Sequence, residues 1–161
     1  MNVNENSQTC NSFHFVRAAV VQNAEIATHT REISIRCPQL ASNFRPGQFA
    51  MVRIAHQQHA ILGRAFAFWD VEHNQAGQPD CIKFVYLVKG RMTKMLATLQ
   101  RGNEVELWGP LGNGFSTAQV DHLILIAGGV GQTPMLTLAK AALGDTGFAR
   151  HVTLIYGARS A

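Results

Sequence analysis

Between His122 and Leu143 the chain reads HLILIAGGVGQTPMLTLAKAAL: an apolar run, a glycine cluster, then apolar residues at helical spacing. No other stretch narrows the fold as much. The apolar run LILIA predicts a strand covered on both faces, GGVGQTP a turn, and PMLTLAKAAL a helix with Pro134 in its first position. HVTLIYG then predicts a second strand of the same kind. Strand, glycine turn, helix and strand make the opening βαβ unit of a parallel α/β sheet. Gly128, Gly129 and Gly131 carry no side chain where backbone amides could approach an anion, and the helix that follows turns its positive end toward them. The pattern is not a P-loop, which ends in Gly-Lys-Ser/Thr. It also departs from GxGxxG, since Pro134 stands where the third glycine belongs. Taken alone, the cluster fits a nucleotide-phosphate site and a purely structural strand-to-helix turn equally well.

Upstream the pattern is different. FHFVRAAVVQNAEI, THTREISIRC, GQFAMVRI, RAFAFWDV, CIKFVYLV and EVELWG are short β-rich segments separated by turn signals. Strands at near-regular spacing, mostly without helices between them, predict a closed antiparallel barrel. One helix interrupts it: Thr93 is expected to cap TKMLATLQ, with Met95, Leu96 and Leu99 at helical spacing and an end near Gly102. The expected organisation is a flexible Asn- and Ser-rich tail over 1–12, a barrel over 13–117 and an incomplete α/β unit over 118–161.

Composition narrows the function. A formal charge of +4 suits an anionic ligand, but Lys and Arg are scattered singly, which argues against a nucleic-acid partner. No apolar run approaches the roughly 20 residues of a membrane span, and the N-terminus lacks the build of a signal peptide, so a cytoplasmic protein without a membrane partner is expected. Cys10, Cys37 and Cys81 are odd in number and far apart, reading as reduced thiols rather than a disulfide or metal framework. His56 and His59 have no thiolate or carboxylate nearby in sequence and make a poor metal site.

The barrel segments add a second constellation. Arg64 heads RAFAFWDV beside Phe66, and Gly90 and Thr93 open the helix in GRMTKML. A cation and a helix start could together hold a diphosphate, with an aromatic ring to cover a planar ligand. Each residue also has an ordinary structural reading; their combination with the glycine turn points to a nucleotide.

FRPGQFAMVRI, LGRAFAFWDV, VYLVKGRMTKMLATLQRGNEVELWGPLGNGF and LILIAGGVGQTPML occur in the order found in the ferredoxin-reductase-like superfamily. The chain resembles that superfamily, and most closely the electron-transfer subunits of NAD-dependent, heteromeric dihydroorotate dehydrogenase. The resemblance implies a Greek-key flavin-binding barrel followed by a nucleotide-binding α/β domain, with FAD and NAD as cofactors. It places FAD against Arg64, Ala65, Phe66 and Ala67, against the facing strand at Val85, Tyr86 and Leu87, and against the diphosphate-binding pair at Met92 and Thr93. It places the nicotinamide nucleotide on Gly128, Gly129, Val130, Gly131, Gln132, Thr133 and Pro134. Two positions depart from the family. Ala67 lacks a flavin-binding hydroxyl, worth about 0.5–1.5 kcal/mol, and Met92 replaces a glycine, where a side chain is expected to push the phosphates aside.

By the same resemblance, a partner catalytic subunit with FMN oxidises dihydroorotate in pyrimidine biosynthesis. Electrons reach FAD through a 2Fe-2S cluster, and FAD reduces NAD⁺. The protein's share is to hold and tune the cofactors, so no catalytic residue is assigned. The family's cysteine-rich cluster segment has no counterpart among the three cysteines, so no cluster is expected in this polypeptide. The family also continues beyond the second strand, whereas YGARSA closes this sequence; a truncated form is expected, with 118–161 its less stable part or in need of a partner. Two alternatives accompany this reading: a non-enzymatic flavin-binding remnant, and a related ferredoxin- or sulfide-linked NAD(P)H oxidoreductase subunit. Arg159 only hints at tolerance of the NADP phosphate.

Overall fold

The computed structural model describes residues 13–56 and 62–158. The 1–12 tail, Cys10, His59 and Arg159 therefore lie outside the described residues.

Seven antiparallel strands form one curled sheet: β1 (His14–Ala27), β2 (Thr30–Arg36), β3 (Phe49–Ile54), β4 (Arg64–Ala67), β5 (Asp70–His73), β6 (Pro79–Leu87) and β7 (Glu104–Leu111), in the spatial order β4-β3-β7-β1-β2-β6-β5. Sequential pairs β1–β2, β3–β4 and β5–β6 are neighbours, while β7 inserts between β3 and β1, which gives the crossovers of a Greek key. The long β1 explains the curl. Its first half, His14–Ala19, bonds to β7 and its second half, from Val20, to β2, with a register shift between Val20 and Gln22. One strand thus belongs to both halves of the sheet, and the irregularity bends it.

The barrel is accordingly a half-barrel whose end strands β4 and β5 meet at a corner. RAFAFWDV, expected as one strand, breaks at Phe68 and Trp69 into β4 and β5. Phe68 is fully buried and its N–H donates to Gln48 O on one side, whereas the Trp69 N–H donates to Lys83 O on the other. The chain has to turn there because its two flanks bond to opposite ends of the sheet. Val20, Ile33, Ile35, Val52, Ile82, Phe84 and Leu107 point inward, and the Phe44 and Phe68 rings meet at 4.5 Å. Two helices pack on the barrel: the short α1 (Pro38–Ala41), which the sequence reading omitted, and α2 (Arg91–Ala97), which inserts Met92 and Leu96 into the core.

The second unit is a βαβ. Strands β8 (Val120–Gly128) and β9 (Ala149–Gly157) run parallel in unbroken register from His122↔His151 to Gly128↔Gly157. A 3-10 turn, Gly129–Gln132, leads into α3 (Thr133–Leu143), which begins one residue before Pro134. The expectation that LILIA is covered on both faces is corrected here. Leu125 packs under α3 with Leu138, Ala142 and Phe148, but Ile124 and Ile126 on the opposite face are 56% and 73% exposed. A two-stranded sheet with one helix has only one covered side. An ion pair, Lys140 Nζ to Asp70 Oδ1 at 2.6 Å, joins α3 to β5 of the barrel.

Candidate functional site

Carboxyl ends of parallel strands are where α/β sheets expose backbone to ligands. Here those of β8 and β9 open onto a crevice of about 820 Å³ whose other wall is the outer surface of the half-barrel. Gly128, Gly129, Val130, Gln132, Tyr156 and Gly157 line the α/β side, and Thr30, Trp69, Val85, Leu87 and Lys89 the barrel side. Of the residues expected to bind cofactors, the crevice brings together Val85, Leu87, Gly128, Gly129 and Gln132. The period-two alternation of β6 explains why Tyr86 is absent: its ring lies in the core, 1% exposed, and its hydroxyl donates to Asn23 Oδ1 at 2.9 Å. Asn23 in turn donates from Nδ2 to Leu96 O and Leu99 O, so Tyr86 ties β6 to β1 and to the end of α2, and burial pushes its hydroxyl pKa up.

Three glycines here have no internal reason to be glycine. At Gly131 and Gly157 the backbone is outside the left-handed region and an added Cβ would meet nothing within 4 Å. Gly90, at the start of α2, is extended (φ −98°, ψ 175°) and equally open. The bare backbone at these positions leaves room for close approach by something outside the chain. Gly129 is different, since its φ of +53° is needed to turn β8 into the 3-10 segment.

A second group of candidate residues comprises Arg64 and the start of α2. Arg64 is exposed at the head of β4; among the described residues its one hydrogen bond is from Nη1 to Gly63 O at 3.4 Å and it has no carboxylate partner. Lys89, Arg91 and Lys94 are exposed around the helix start, also without a carboxylate partner among the described residues. Such unpaired cations suit a diphosphate. The role expected of Thr93 is corrected in detail. The helix begins two residues earlier, Gly90 is the capping residue, and Thr93 Oγ1 in the first turn accepts the Lys89 N–H at 3.0 Å and the Gly90 N–H at 3.1 Å.

Two further expectations change. The Met92 side chain does not crowd a phosphate position: it is 5% exposed and forms part of the barrel core, leaving only its backbone at the helix start. The Phe66 ring is half-buried, with one side given to the core 5.6 Å from Tyr86 and 6.3 Å from Phe84. Ala65 is exposed and Ala67 half-buried on the alternate face of β4, Gly131 is exposed beside the crevice, Pro134 is half-buried and Thr133 is buried under the turn.

Trp69, Lys89 and Tyr156 line the crevice but were not singled out from sequence. The pattern RAFAFWDV places Trp69 mid-strand, whereas the corner between β4 and β5 brings it to the crevice. Its Nε1–H donates to Glu32 Oε2 at 3.0 Å. Lys83 Nζ bridges Glu32 at 3.1 Å and Glu72 at 2.7 Å, and Ser34 Oγ donates to Glu72 Oε2 at 3.1 Å. Desolvation pulls the Lys83 pKa down, but the hydrogen bonds to Glu72 and Glu32 outweigh it and raise the value, so the ammonium stays charged. No group of three or more potential metal ligands occurs among the described residues, where His56 faces Glu104 Oε2 at 3.3 Å. Nor is any described helix long and apolar enough to cross a membrane.

Comparison with known proteins agrees with this geometry. The oxidoreductase FAD-binding domain matches residues 17–115, and the oxidoreductase NAD-binding domain matches residues 125–161. The chain is 33% identical over 127 residues to the electron transfer subunit of dihydroorotate dehydrogenase B (NAD⁺) from Geobacillus thermodenitrificans, covering 77% of this chain and 48% of that protein. It is 32% identical over 146 residues to a homologue of that subunit from Aquifex aeolicus, covering 90% and 55%. The chain thus spans about half the length of these curated relatives. Among solved structures, the NADH-dependent reduced ferredoxin-NADP oxidoreductase shares the fold with a TM-score of 0.76 and 24% identity, over 89% of this chain and 49% of that one.

Proposed function

Because residues 17–115, more than half of the chain, match it, the chain belongs to the oxidoreductase FAD-binding domain family, and we propose that it is the part of an electron-transfer subunit where FAD and NAD exchange electrons. The observation that carries this is the crevice itself, where the outer face of the flavin-type half-barrel meets a glycine turn at the ends of two parallel strands. The names of the relatives support a place in pyrimidine biosynthesis, beside a catalytic dihydroorotate dehydrogenase subunit in the cytoplasm. Matches to both nucleotide-binding domains favour this reading over a non-enzymatic remnant.

When bound, FAD supplies two-electron chemistry by exchanging a hydride with the nicotinamide. The chain's own residues bind and orient. Arg64 and the amides at the start of α2, beside Thr93 and the backbone of Met92, would neutralise the flavin diphosphate. Ala65, Phe66 and Ala67 would form the strand that holds the flavin, with Ala67 offering no hydroxyl for a hydrogen bond. Val85 and Leu87 present apolar surface that excludes water, with the buried Tyr86 fixing their strand. Gly128, Gly129 and Gly131 let the nicotinamide nucleotide approach the backbone, and Gln132, Thr133 and Pro134 set the start of α3 behind it.

The test is spectroscopic. Protein purified with added FAD should be yellow, and anaerobic NADH should bleach it. Protein that stays colourless with excess FAD would overturn the proposal, and yellow protein inert to NADH would reduce it to a flavin-binding role. Arg64→Ala should weaken FAD binding by about 1.5–3 kcal/mol, the scale of a charged hydrogen bond; unchanged affinity would remove Arg64 from the site.

A further inference from the structure

We propose that Trp69 is the stacking surface of the crevice and that it favours the positively charged, oxidised nicotinamide ring over the neutral, reduced one; this rests on the reading of the crevice as a nicotinamide site. Three observations carry it. The first is the way the indole is held. A tryptophan at a cavity wall usually needs its N–H satisfied before its ring can serve as a surface. Here Nε1 donates inward to Glu32 at 3.0 Å, and Glu32 is itself pinned by Lys83 at 3.1 Å. The polar edge is used within the protein, and the ring lines the cavity.

The second observation is charge. Behind the indole stand two carboxylates, Glu32 and Glu72, bridged by one ammonium, Lys83, at 3.1 Å and 2.7 Å. Two negative charges against one positive leave a net charge of −1 at the edge of the ring. A carboxylate accepting from the indole N–H makes the π face more electron-rich, and such a face attracts a cation. The nicotinamide ring is a pyridinium when oxidised and uncharged when reduced, so only the oxidised form gains. Lys89, at the rim of the same cavity, is then placed for a phosphate rather than for the ring.

The third observation is position. Phe66 on β4 is half-buried against Tyr86 and Phe84, while Trp69, just past the end of the same strand, lines the cavity together with Tyr156.

Trp69 and Trp108 are the two tryptophans of the chain, so Trp108→Phe leaves the Trp69 emission alone. FAD-loaded Trp108→Phe protein would be titrated with NAD⁺ and with NADH, reading tryptophan emission and, separately, binding heat. Emission is expected to fall in step with the heat. Trp69→Leu should weaken NAD⁺ about fivefold more than NADH, Trp69→Phe should retain most of the preference, and Glu32→Gln should reduce it. Equal losses for both nucleotides in a Trp69→Leu protein of unchanged melting temperature would overturn the inference. So would binding heat without any change in emission, which leaves the NAD site standing but elsewhere. Emission fully quenched by FAD, with none left for NAD⁺ to change, would assign the surface to the flavin and overturn the nicotinamide preference. If FAD binds but neither nucleotide gives heat, the NAD reading itself fails and this inference fails with it.

Discussion

The half-barrel and the βαβ unit both contain apolar strands, yet they bury them to very different extents. In the half-barrel, curling brings two sheet halves face to face, and α2 plugs the core with Met92 and Leu96. In the βαβ unit a flat pair of strands has α3 on one side and water on the other, so Leu125 is buried while its neighbour Ile126 is 73% exposed. Hydrophobic stabilisation follows area removed from water rather than apolar content. The two regions should therefore differ in stability while sharing a ligand cavity.

The largest effect expected from this contrast is in the barrel core. Phe68→Ala removes a fully buried ring that touches Phe44 and Phe84, at a cost of about 3–5 kcal/mol in denaturant unfolding. Leu138→Ala should instead act locally, speeding amide exchange in β8 and β9 while the protection of β1, β2 and β6 persists. If both variants lower the two regions together, the molecule is one cooperative unit and the comparison breaks.

Glycines separate the regions differently. Gly47, in the barrel, has φ +88°, and an added Cβ would lie 2.6 Å from the Phe115 ring. Gly47→Ala should cost about 1–2 kcal/mol from the left-handed backbone alone. Gly131→Ala should leave the melting temperature unchanged or raise it, because neither backbone nor packing there requires glycine. Its cost should fall on NADH affinity, about tenfold if a charge-assisted amide contact is lost. Unchanged NADH affinity would make the turn structural.

What the sequence conveyed, and what it did not, follows from the same physics. Strands such as β1, β3 and β7 were legible because alternation and turn residues are local signals, and so was AGGVGQTP, because strand, glycine turn and helix adjoin in sequence. The outward turn of Trp69 was not legible. It depends on β4 bonding to β3 and β5 to β6, partners distant in sequence. The inward direction of the Met92 side chain was not legible either, because it is set by the barrel core that α2 packs on, whose strands are distant in sequence. The exposure of Ile124 and Ile126 was hidden for a related reason: an apolar run shows what a strand can bury, not which layers cover it.

Acid should narrow the gap between the two regions. Glu106 on β7 is buried between two arginines: Arg53 donates to Oε2 from Nη2 and, at 2.8 Å, from Nε, and Arg17 Nη2 donates to Oε1 at 3.1 Å. Hydrogen bonds from Arg53 and then Arg17 hold its carboxyl below the usual carboxylate range. With the folded value depressed, the unfolded chain takes up the proton first as pH falls. The stabilisation is therefore complete above the ordinary glutamate pKa and is lost as pH drops toward the folded value. Glu106→Gln should cost about 1 kcal/mol at neutral pH, given how exposed Arg17 is, and should flatten the acid limb of barrel stability. An unchanged acid limb would place the pH dependence elsewhere.

The smallest effect concerns the joint itself. Lys140 Nζ meets Asp70 Oδ1 at 2.6 Å, with the lysine side chain 57% exposed, so screening limits the pair to about 0.2–1 kcal/mol. Its interest lies in position rather than strength, because Asp70 follows Trp69 directly and Lys140 belongs to the helix that starts from the glycine turn. Breaking the pair should leave barrel unfolding untouched while loosening the register of the two cavity walls. Asp70→Asn should therefore weaken NADH binding slightly in low salt and not at all in molar salt, whereas charge reversal at both positions should restore it. A loss that persists in molar salt would mean that Asp70 matters to the site through Trp69 and β5 rather than through the joint, and the two regions would then be held by packing alone.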